Sequence, residues 1–179
     1  MGTYFSSLRI GPWEPKFEWV RTVEESADQI NRYHKEDYPT KVLLTQEHLT
    51  GIGEYFVDMV EKRAERGLFH PIEITSAFLK HIHGELFSEM REYAACWRPG
   101  RVEVGIHHPP GPEELEKLMT QLEMLYEDRE IDIEMLIDWY TDFETIHPFH
   151  NGNGRVGGVI VAVYSHHLYP EKGWLSPLQ

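Results

Sequence analysis

The residues best suited to chemistry crowd into twelve positions, His147 to Gly158, which read His-Pro-Phe-His-Asn-Gly-Asn-Gly-Arg-Val-Gly-Gly. Two apolar stretches, 133–146 and 159–164, flank this segment. Backbone N–H groups of a glycine-rich turn can converge on an anion, and a helix that follows the turn aims its positive end at the same point. The segment therefore predicts a phosphate-binding loop with a titratable His147 at its start and Arg155 at its end.

These residue types suit the transfer of a phosphorus group to a hydroxyl. A hydroxyl becomes a good nucleophile when a base removes its proton. A neutral imidazole is the side chain best suited to that role at cellular pH, which makes His147 the candidate catalytic base. Arg155 can grip a phosphate through two parallel hydrogen bonds. Negative charge on the reacting phosphorus centre would be stabilised by backbone N–H groups, which the loop offers at Gly152, Asn153 and Gly154.

The other histidines do not predict a second site. Metal ligands on a helix need a spacing of i, i+4, which none of these pairs has, so no separate zinc site is expected. His150 is expected to face solvent, and Trp139 and Tyr140 are expected in the core. The pairs are His81/His83, His107/His108 and His166/His167.

The elements that must position the loop are mainly helical, with six or seven helices and one small β-hairpin flap. Apolar residues at helical spacing predict helices over 23–34, 43–66, 71–90, 112–125 and 133–146. Val159–Val163 is ambiguous, because its β-branched residues favour a strand and a fully buried helix fits equally well. A hairpin or extended flap is predicted within 93–110. The lead-in 1–21 and the tail 170–179 are expected to be irregular, and the helix from residue 23 is expected on the surface.

Length and composition predict one soluble domain. The chain has 179 residues, 41% of them hydrophobic and 26% charged, which is ordinary for a globular protein. Its formal charge of −13 argues against general binding of nucleic acid or anionic membrane, and favours a protein partner with a basic surface. One cysteine, Cys96, and no signal-like or membrane-spanning stretch fit a reducing, cytoplasmic setting.

The loop resembles the active motif of the Fic family, His-x-Phe-x-(Asp/Glu)-Gly-Asn-Gly-Arg-x-x-Arg. Segments 83–87, 100–105 and 108–115 look like the regions around the family's substrate flap, so the resemblance covers roughly 40–168. It implies a helical bundle in which the loop leads into a buried helix, which favours helix for 159–163. It also implies a transferase that moves a nucleotide monophosphate, usually AMP from ATP, to a hydroxyl of a target protein. The family includes phosphoryl and phosphocholine transferases, so the group transferred stays open.

The resemblance also assigns roles to single residues. Phe149 is implied to anchor the loop in the core. Asn151 stands at the family's acidic position, so it is the implied ligand of Mg²⁺ or Mn²⁺, held weakly because an amide oxygen carries no charge. Gly158 stands where the family has a second Arg that meets the γ-phosphate. The flap residues implied to dock the target protein are Val102, Glu103, Val104, Gly105 and Ile106.

The same comparison leaves the regulation and the activity open. Many Fic proteins carry an inhibitory helix whose Glu pairs with the second Arg, and the nearest match here, Ser26–Asn31, has Ile30 in place of that Glu. The loss of both partners predicts that this autoinhibition is absent. The departures at Asn151 and Gly158 also allow a second interpretation, a catalytically degenerate Fic fold that binds nucleotide or protein. An antitoxin or regulatory protein as partner, and delivery into a host cell as an effector, are further alternatives.

Overall fold

Six α-helices and a two-stranded sheet make up the part of the chain that the computed structural model describes, which is residues 5–8, 13–32, 43–67, 74–88, 90 and 92–178. Single 3₁₀ turns cover Ser6–Leu8 and Pro112–Glu114. The helices are α1 (Val23–Asn31), α2 (Gln46–Glu65), α3 (Ser76–Leu86), α4 (Leu115–Tyr126), α5 (Ile133–Ile146) and α6 (Asn153–Leu168), and the strands are β1 (Lys16–Val20) and β2 (Trp174–Leu178).

Helix α6 forms the centre of the molecule. It contacts α1, α2, α3, α5 and β2, and its residues from Asn153 to Ser165 are all buried. The ambiguous stretch Val159–Val163 is therefore helical, as the family resemblance implies. Helix propensities differ by only about 0.7 kcal/mol among ordinary residues. Burial on every side outweighs that preference, because each β-branched side chain finds a neighbouring element to pack against.

Four of the helices begin at a capping side chain. Thr22, Thr45, Thr75 and Asp132 each accept a hydrogen bond from the backbone N–H three residues on, which satisfies one of the helix's first free N–H groups. The predicted helix starts at residues 23 and 133 are confirmed, with Thr22 and Asp132 as their caps. The predicted start of the third helix at Pro71 lies outside the described residues.

The prediction of irregular ends is wrong in two places. Lys16–Val20 and Trp174–Leu178 pair as antiparallel strands, with Lys16 opposite Leu178 and Val20 opposite Trp174. Nothing local signals this pairing, because the partners come from opposite ends of the described chain. Pro177 also argues against a strand by sequence. It is tolerated because Leu175, two residues earlier and on the same side of the strand, donates its N–H to Ser165 Oγ of α6 and not to β1, so the pairing with β1 needs no donor at residue 177.

Helix α1 is not the surface helix that its sparse apolar pattern predicts. Its Ser26, Ala27, Ile30 and Asn31 are buried, because β2, α2 and α6 cover that face. Ser26 Oγ lies 2.8 Å from Ser176 Oγ of β2. The predicted last residues of this helix, 33–34, lie outside the described residues.

The predicted hairpin is reduced to one bridge. Within 92–110 the structure has a single β-bridge, between Val104 and His107, whose two backbone hydrogen bonds measure 3.0 and 2.9 Å. The turn between them contains Gly105, at φ +59°. None of the described helices combines the length and the apolar character needed to cross a membrane.

Candidate active site

His147 ends α5 in a strained backbone conformation. Its φ of 51° and ψ of 61° lie in the left-handed region, which is uncommon for residues other than glycine, and its N–H donates to Phe143 O at 2.9 Å. Its imidazole Nδ1 lies 3.5 Å from Oε2 of Glu144, and the two side chains are only 16% and 12% exposed. The Nδ1 edge of the imidazole therefore faces a largely buried carboxylate, although Nδ1 makes no hydrogen bond to any described residue.

The backbone around His147 is held by a buried guanidinium. Arg98, 2% exposed, donates through Nε to His147 O at 2.8 Å, through Nη1 to Gly100 O at 2.8 Å and through Nη2 to Pro110 O. Its backbone N–H donates to Pro148 O at 2.9 Å. Arg98 therefore ties the start of the loop to both ends of the flap segment.

A reciprocal pair of hydrogen bonds closes the loop. Phe149 N–H donates to Asn153 Oδ1 at 2.8 Å, and Asn153 Nδ2 donates back to Phe149 O at 2.9 Å. The Phe149 ring is fully buried and stacks on His83, with ring centroids 4.0 Å apart and an interplanar angle of 13°. Phe149 therefore lies in the core, as the family resemblance implies, and it fixes the curvature of the loop.

His83 supports the loop as a neutral donor. Its Nδ1 accepts from Ala95 N–H at 3.1 Å, so the other ring nitrogen, Nε2, carries the proton and donates to Asn151 O at 3.0 Å. The pKa of His83 is lowered to about 4, chiefly by burial, which outweighs the opposing bond to Asn151 O, and in smaller part by the nearby cation of Arg155. His83 therefore stays uncharged at neutral pH.

The loop enters α6 through Gly152, which no other residue could replace without strain. Its φ is +86°, and a Cβ there would lie 2.3 Å from the ring of Phe87. The first helical hydrogen bond of α6 runs from Val156 N–H to Gly152 O. The N–H groups of Asn153 and Gly154 precede that bond, so they lie at the positive end of a buried helix, where an anion binds most readily.

Asn151 and Arg155 bind each other. Asn151 Oδ1 accepts from Gly152 N–H at 2.7 Å and from Arg155 Nη2 at 2.8 Å. Arg155 is 1% exposed, and its guanidinium lies over the Phe87 ring, 5.0 Å from the centroid. Both lone pairs of the amide oxygen are therefore used, and one donor is a cation.

This arrangement does not fit a divalent ion at Asn151, because the ion would have to displace a guanidinium from a neutral ligand. Among the described residues, no group of three or more His, Cys, Asp or Glu side chains could hold a metal ion. Asn151 as a metal ligand and Arg155 as a phosphate ligand stay predictions. Both require the bond between the two side chains to open.

The structure brings together Gly158, where the family has its second Arg, and Ile30, where the inhibitory helix of the family has its Glu. A Cβ at Gly158 would lie 3.0 to 3.4 Å from three side-chain carbons of Ile30 on α1. Ile30 is 4% exposed, so α1 packs on α6 through this apolar contact. A side chain at residue 158 would therefore press on Ile30, and either the Ile30 side chain or α1 would have to shift to admit it.

The flap lies beside the loop and is far more open. Ile106 is 75% exposed and Val104 41% exposed. His107 Nε2 lies 2.8 Å from Thr145 O, a hydrogen bond that anchors the flap two residues before His147. His108 is exposed, with Nδ1 3.9 Å from a carboxylate oxygen of Glu103.

The sequence analysis does not assign a supporting role to Glu144, His83 or Arg98. Glu144 could have been found, because it lies three residues before His147, a spacing that brings side chains together on a helix. His83 and Arg98 could not, since their contacts with the loop span 68 and 49 residues of sequence. His150 is exposed as predicted, with its ring stacked on Tyr93.

Comparison with known proteins agrees with this geometry. The model of the Fic/DOC family matches residues 73–165. None of the curated proteins matches the sequence. A solved Fic family protein from Desulfovibrio desulfuricans G20 is 18% identical over 83% of this chain and 49% of its own, with a TM-score of 0.55. This likeness shows a shared fold.

Two further solved structures are less similar. A Fic domain containing signaling protein from Bacteroides thetaiotaomicron VPI-5482 is 16% identical, over 80% of this chain and 56% of its own, with a TM-score of 0.49. The BepC protein of Bartonella tribocorum, a VirB-translocated effector solved with bound AMPPNP, is 19% identical, over 66% and 68%, with a TM-score of 0.44. The chain spans about half the length of the first two proteins. Because the family model matches more than half of its residues, this chain belongs to the Fic/DOC family.

Proposed function

We propose that this protein is a Fic-type transferase that moves AMP from ATP to a Ser, Thr or Tyr hydroxyl of a target protein, with His147 as the base. One observation carries the proposal. His147 and the N-terminus of α6 belong to one short loop, and the hydrogen bonds between Phe149 and Asn153 hold the two in a fixed relation. This supports a preorganised arrangement in which the proposed base and the proposed anion site are held within one loop.

The proposed reaction is a displacement at the α-phosphorus. The imidazole of His147 takes the proton of the target hydroxyl as its oxygen bonds to the α-phosphorus, and the bond from that phosphorus to the bridging oxygen breaks. Diphosphate leaves with the bonding electrons. Glu144, beside Nδ1, would hold the proton on that nitrogen, leave Nε2 as the base and stabilise the imidazolium that forms.

Charge on the phosphate oxygens would be stabilised by the N–H groups of Asn153 and Gly154 at the start of α6. Arg155 would add a cation by exchanging its bond to Asn151 for a phosphate oxygen. ATP is the co-substrate in this proposal. Asn151 is not given a metal ion to hold, because both lone pairs of its amide oxygen already accept hydrogen bonds. The flap, Val102–Ile106, would dock the target through its exposed apolar side chains.

The test is transfer of label. The protein is incubated with lysate, Mg²⁺ or Mn²⁺ and labelled ATP, GTP, UTP or CTP, and intact mass identifies the group added to a target. His147→Ala should lower labelling by about 10²–10⁴-fold, the usual contribution of a general base. His150→Ala is the matched control, because this exposed histidine lies on the same loop and should leave labelling unchanged. No labelling with any nucleotide, or equal labelling by wild type and His147→Ala, contradicts the proposal.

A second prediction concerns Glu144. Glu144→Gln should lower kcat by about 10–100-fold without unfolding the protein, because the imidazolium loses its carboxylate partner. In the His147→Ala background the same change should cost nothing further, since the two residues act as a unit. An equal additional loss in that background, or a loss of folded protein by circular dichroism, would show that Glu144 is only structural.

A nucleotide-binding module without catalysis is the second candidate, and a specific observation favours it. The motif departs from the family pattern at Asn151 and Gly158. In the structure Asn151 is occupied by its bond to Arg155, and Ile30 packs against Gly158, so neither position is open to a ligand. Calorimetry separates the candidates. Nucleotide binding that is independent of metal, with no turnover, supports the module, whereas measurable turnover rejects it.

A further inference from the structure

The C-terminal end of α6 lines a groove that has no part in the proposed reaction. A cavity of about 650 Å³ opens there between α1, α2, α6 and β2, with walls formed by Phe56, Val57, Val163 and Trp174. An α-helix rises about 1.5 Å per residue, so this end of α6 lies roughly 15–20 Å from the active loop. A molecule in the groove would not touch His147.

One face of α2 forms a long side of the groove. Its lining residues recur at the i, i+3, i+4 spacing of a single helix face. Val57, at the middle of this face, is 41% exposed, and a Cβ at Gly53 would meet no atom within 4 Å in the described part of the chain. The described residues therefore leave about three turns of α2 uncovered. The face comprises Thr50, Gly53, Glu54, Val57, Asp58 and Glu61.

The opposite walls are packed against one another. His166 stacks on Trp174 with ring centroids 4.0 Å apart, and its Nδ1 lies 3.2 Å from Gly173 O. The ring of His167 meets Phe56 edge-on at 5.1 Å. The aromatic side of the groove is therefore held in place by its own contacts, and a partner would meet a largely preformed surface.

The described residues that line the groove include acidic side chains but no Lys or Arg. The three carboxylates are Glu54, Asp58 and Glu61. Asp58 is paired with Lys62 at 2.7 Å, whereas Glu54 and Glu61 form no ion pair with any residue that the structure describes. The whole chain carries a formal charge of −13, so the surrounding field reinforces this rim.

We propose that this groove docks a basic amphipathic helix of a partner protein. Such a helix would lay its apolar face along Val57 and Trp174, above the buried ring of Phe56, while Lys or Arg side chains on its flanks pair with Glu54 and Glu61. A helix in a hydrophobic groove is a common mode of recognition, and the uncovered face of α2 matches it in length. An acidic or neutral helix would bury the same apolar area without meeting the rim charges.

The test uses a synthetic peptide of about 15 residues, long enough for four helical turns, with Leu on one face and Lys on the other. A second peptide has the same Leu positions and Glu in place of Lys. Calorimetry should show binding of the basic peptide and none of the acidic one. Equal binding of both peptides would overturn the proposal, because the rim charges would then play no part.

Variants of the protein locate the site. Val57→Glu and Glu61→Lys should each weaken binding of the basic peptide at least tenfold, with circular dichroism unchanged, because both side chains are exposed. Met124→Glu on α4 is the matched control, since Met124 is 68% exposed and should leave binding unchanged. Unchanged binding in both groove variants would mean non-specific attraction to an acidic protein. Self-association of the protein that Val57→Glu abolishes would identify a second copy as the occupant. Either result overturns the proposal.

Discussion

The active loop and the flap are neighbours that differ in how firmly they are held. In the loop, Phe149 is fully buried and Asn153 is 1% exposed, and the two hydrogen bond to each other in both directions. In the flap, Ile106 is 75% exposed and a single bridge pairs Val104 with His107. The contrast indicates that the backbone of the loop is held in place by buried contacts, whereas the tip of the flap is held by few. Under the proposed function, a target protein would therefore meet the more adaptable of the two surfaces.

Of the changes that test this contrast, Arg98→Met should lower the free energy of unfolding the most. It removes the charged donors that hold the carbonyls of His147, Gly100 and Pro110, and leaves these part-buried acceptors without that partner. We expect a loss of about 3–5 kcal/mol in the free energy of unfolding, measured by urea denaturation. Arg101→Met is the control, because that side chain is 74% exposed and should cost little. Equal stability of the two variants would show that the loop does not depend on Arg98.

Acid should destabilise the loop through His83. Its pKa is lowered to about 4 in the folded protein, against about 6.5 when unfolded, so the unfolded chain binds more protons between these values. Stability is therefore fully present above pH 6.5 and falls by about 1.4 kcal/mol per pH unit as the pH drops towards 4, or about 2 kcal/mol by pH 5.

The His83→Gln variant isolates this effect from the titration of other groups. It should be less stable than wild type at pH 7, because the bond from Ala95 N–H and the stacking on Phe149 are altered. Its stability should nevertheless fall less steeply between pH 7 and pH 5, by about 2 kcal/mol. Urea denaturation at the two pH values measures both slopes, and identical slopes would contradict a buried neutral His83.

Ile106→Ala should have the smallest effect on the fold. The side chain is 75% exposed, so unfolding should change by less than about 0.5 kcal/mol. Under the proposed function the variant should label its protein target more slowly, while calorimetry gives unchanged affinity for nucleotide. Weaker nucleotide binding, or a clear loss of stability, would show that the side chain of Ile106 supports the loop or the fold, which contradicts a flap that only contacts the target.

Much of the fold could be predicted because the signals are local. Thr22 and Asp132 begin helices through bonds to residues three positions away, and Gly152 ends a turn that only glycine can adopt without strain. The strand pair at the two ends of the chain could not be predicted, since each strand finds its partner only in the folded protein. The prediction that α1 lies on the surface is wrong for the same reason. Its apolar residues are few in the sequence, but β2, which comes from the other end of the described chain, covers the face that carries them.

The sequence by itself determined the residue types of the site, the loop between two helices, and the family pattern with its two departures at Asn151 and Gly158. Only the tertiary structure decided what those departures mean physically. Asn151 accepts a bond from Arg155, and Ile30 fills the space above Gly158. It also decided that Glu144, His83 and Arg98 support the loop. Side-chain packing and hydrogen bonds between distant segments depend on three-dimensional proximity, which residue spacing along the chain does not encode.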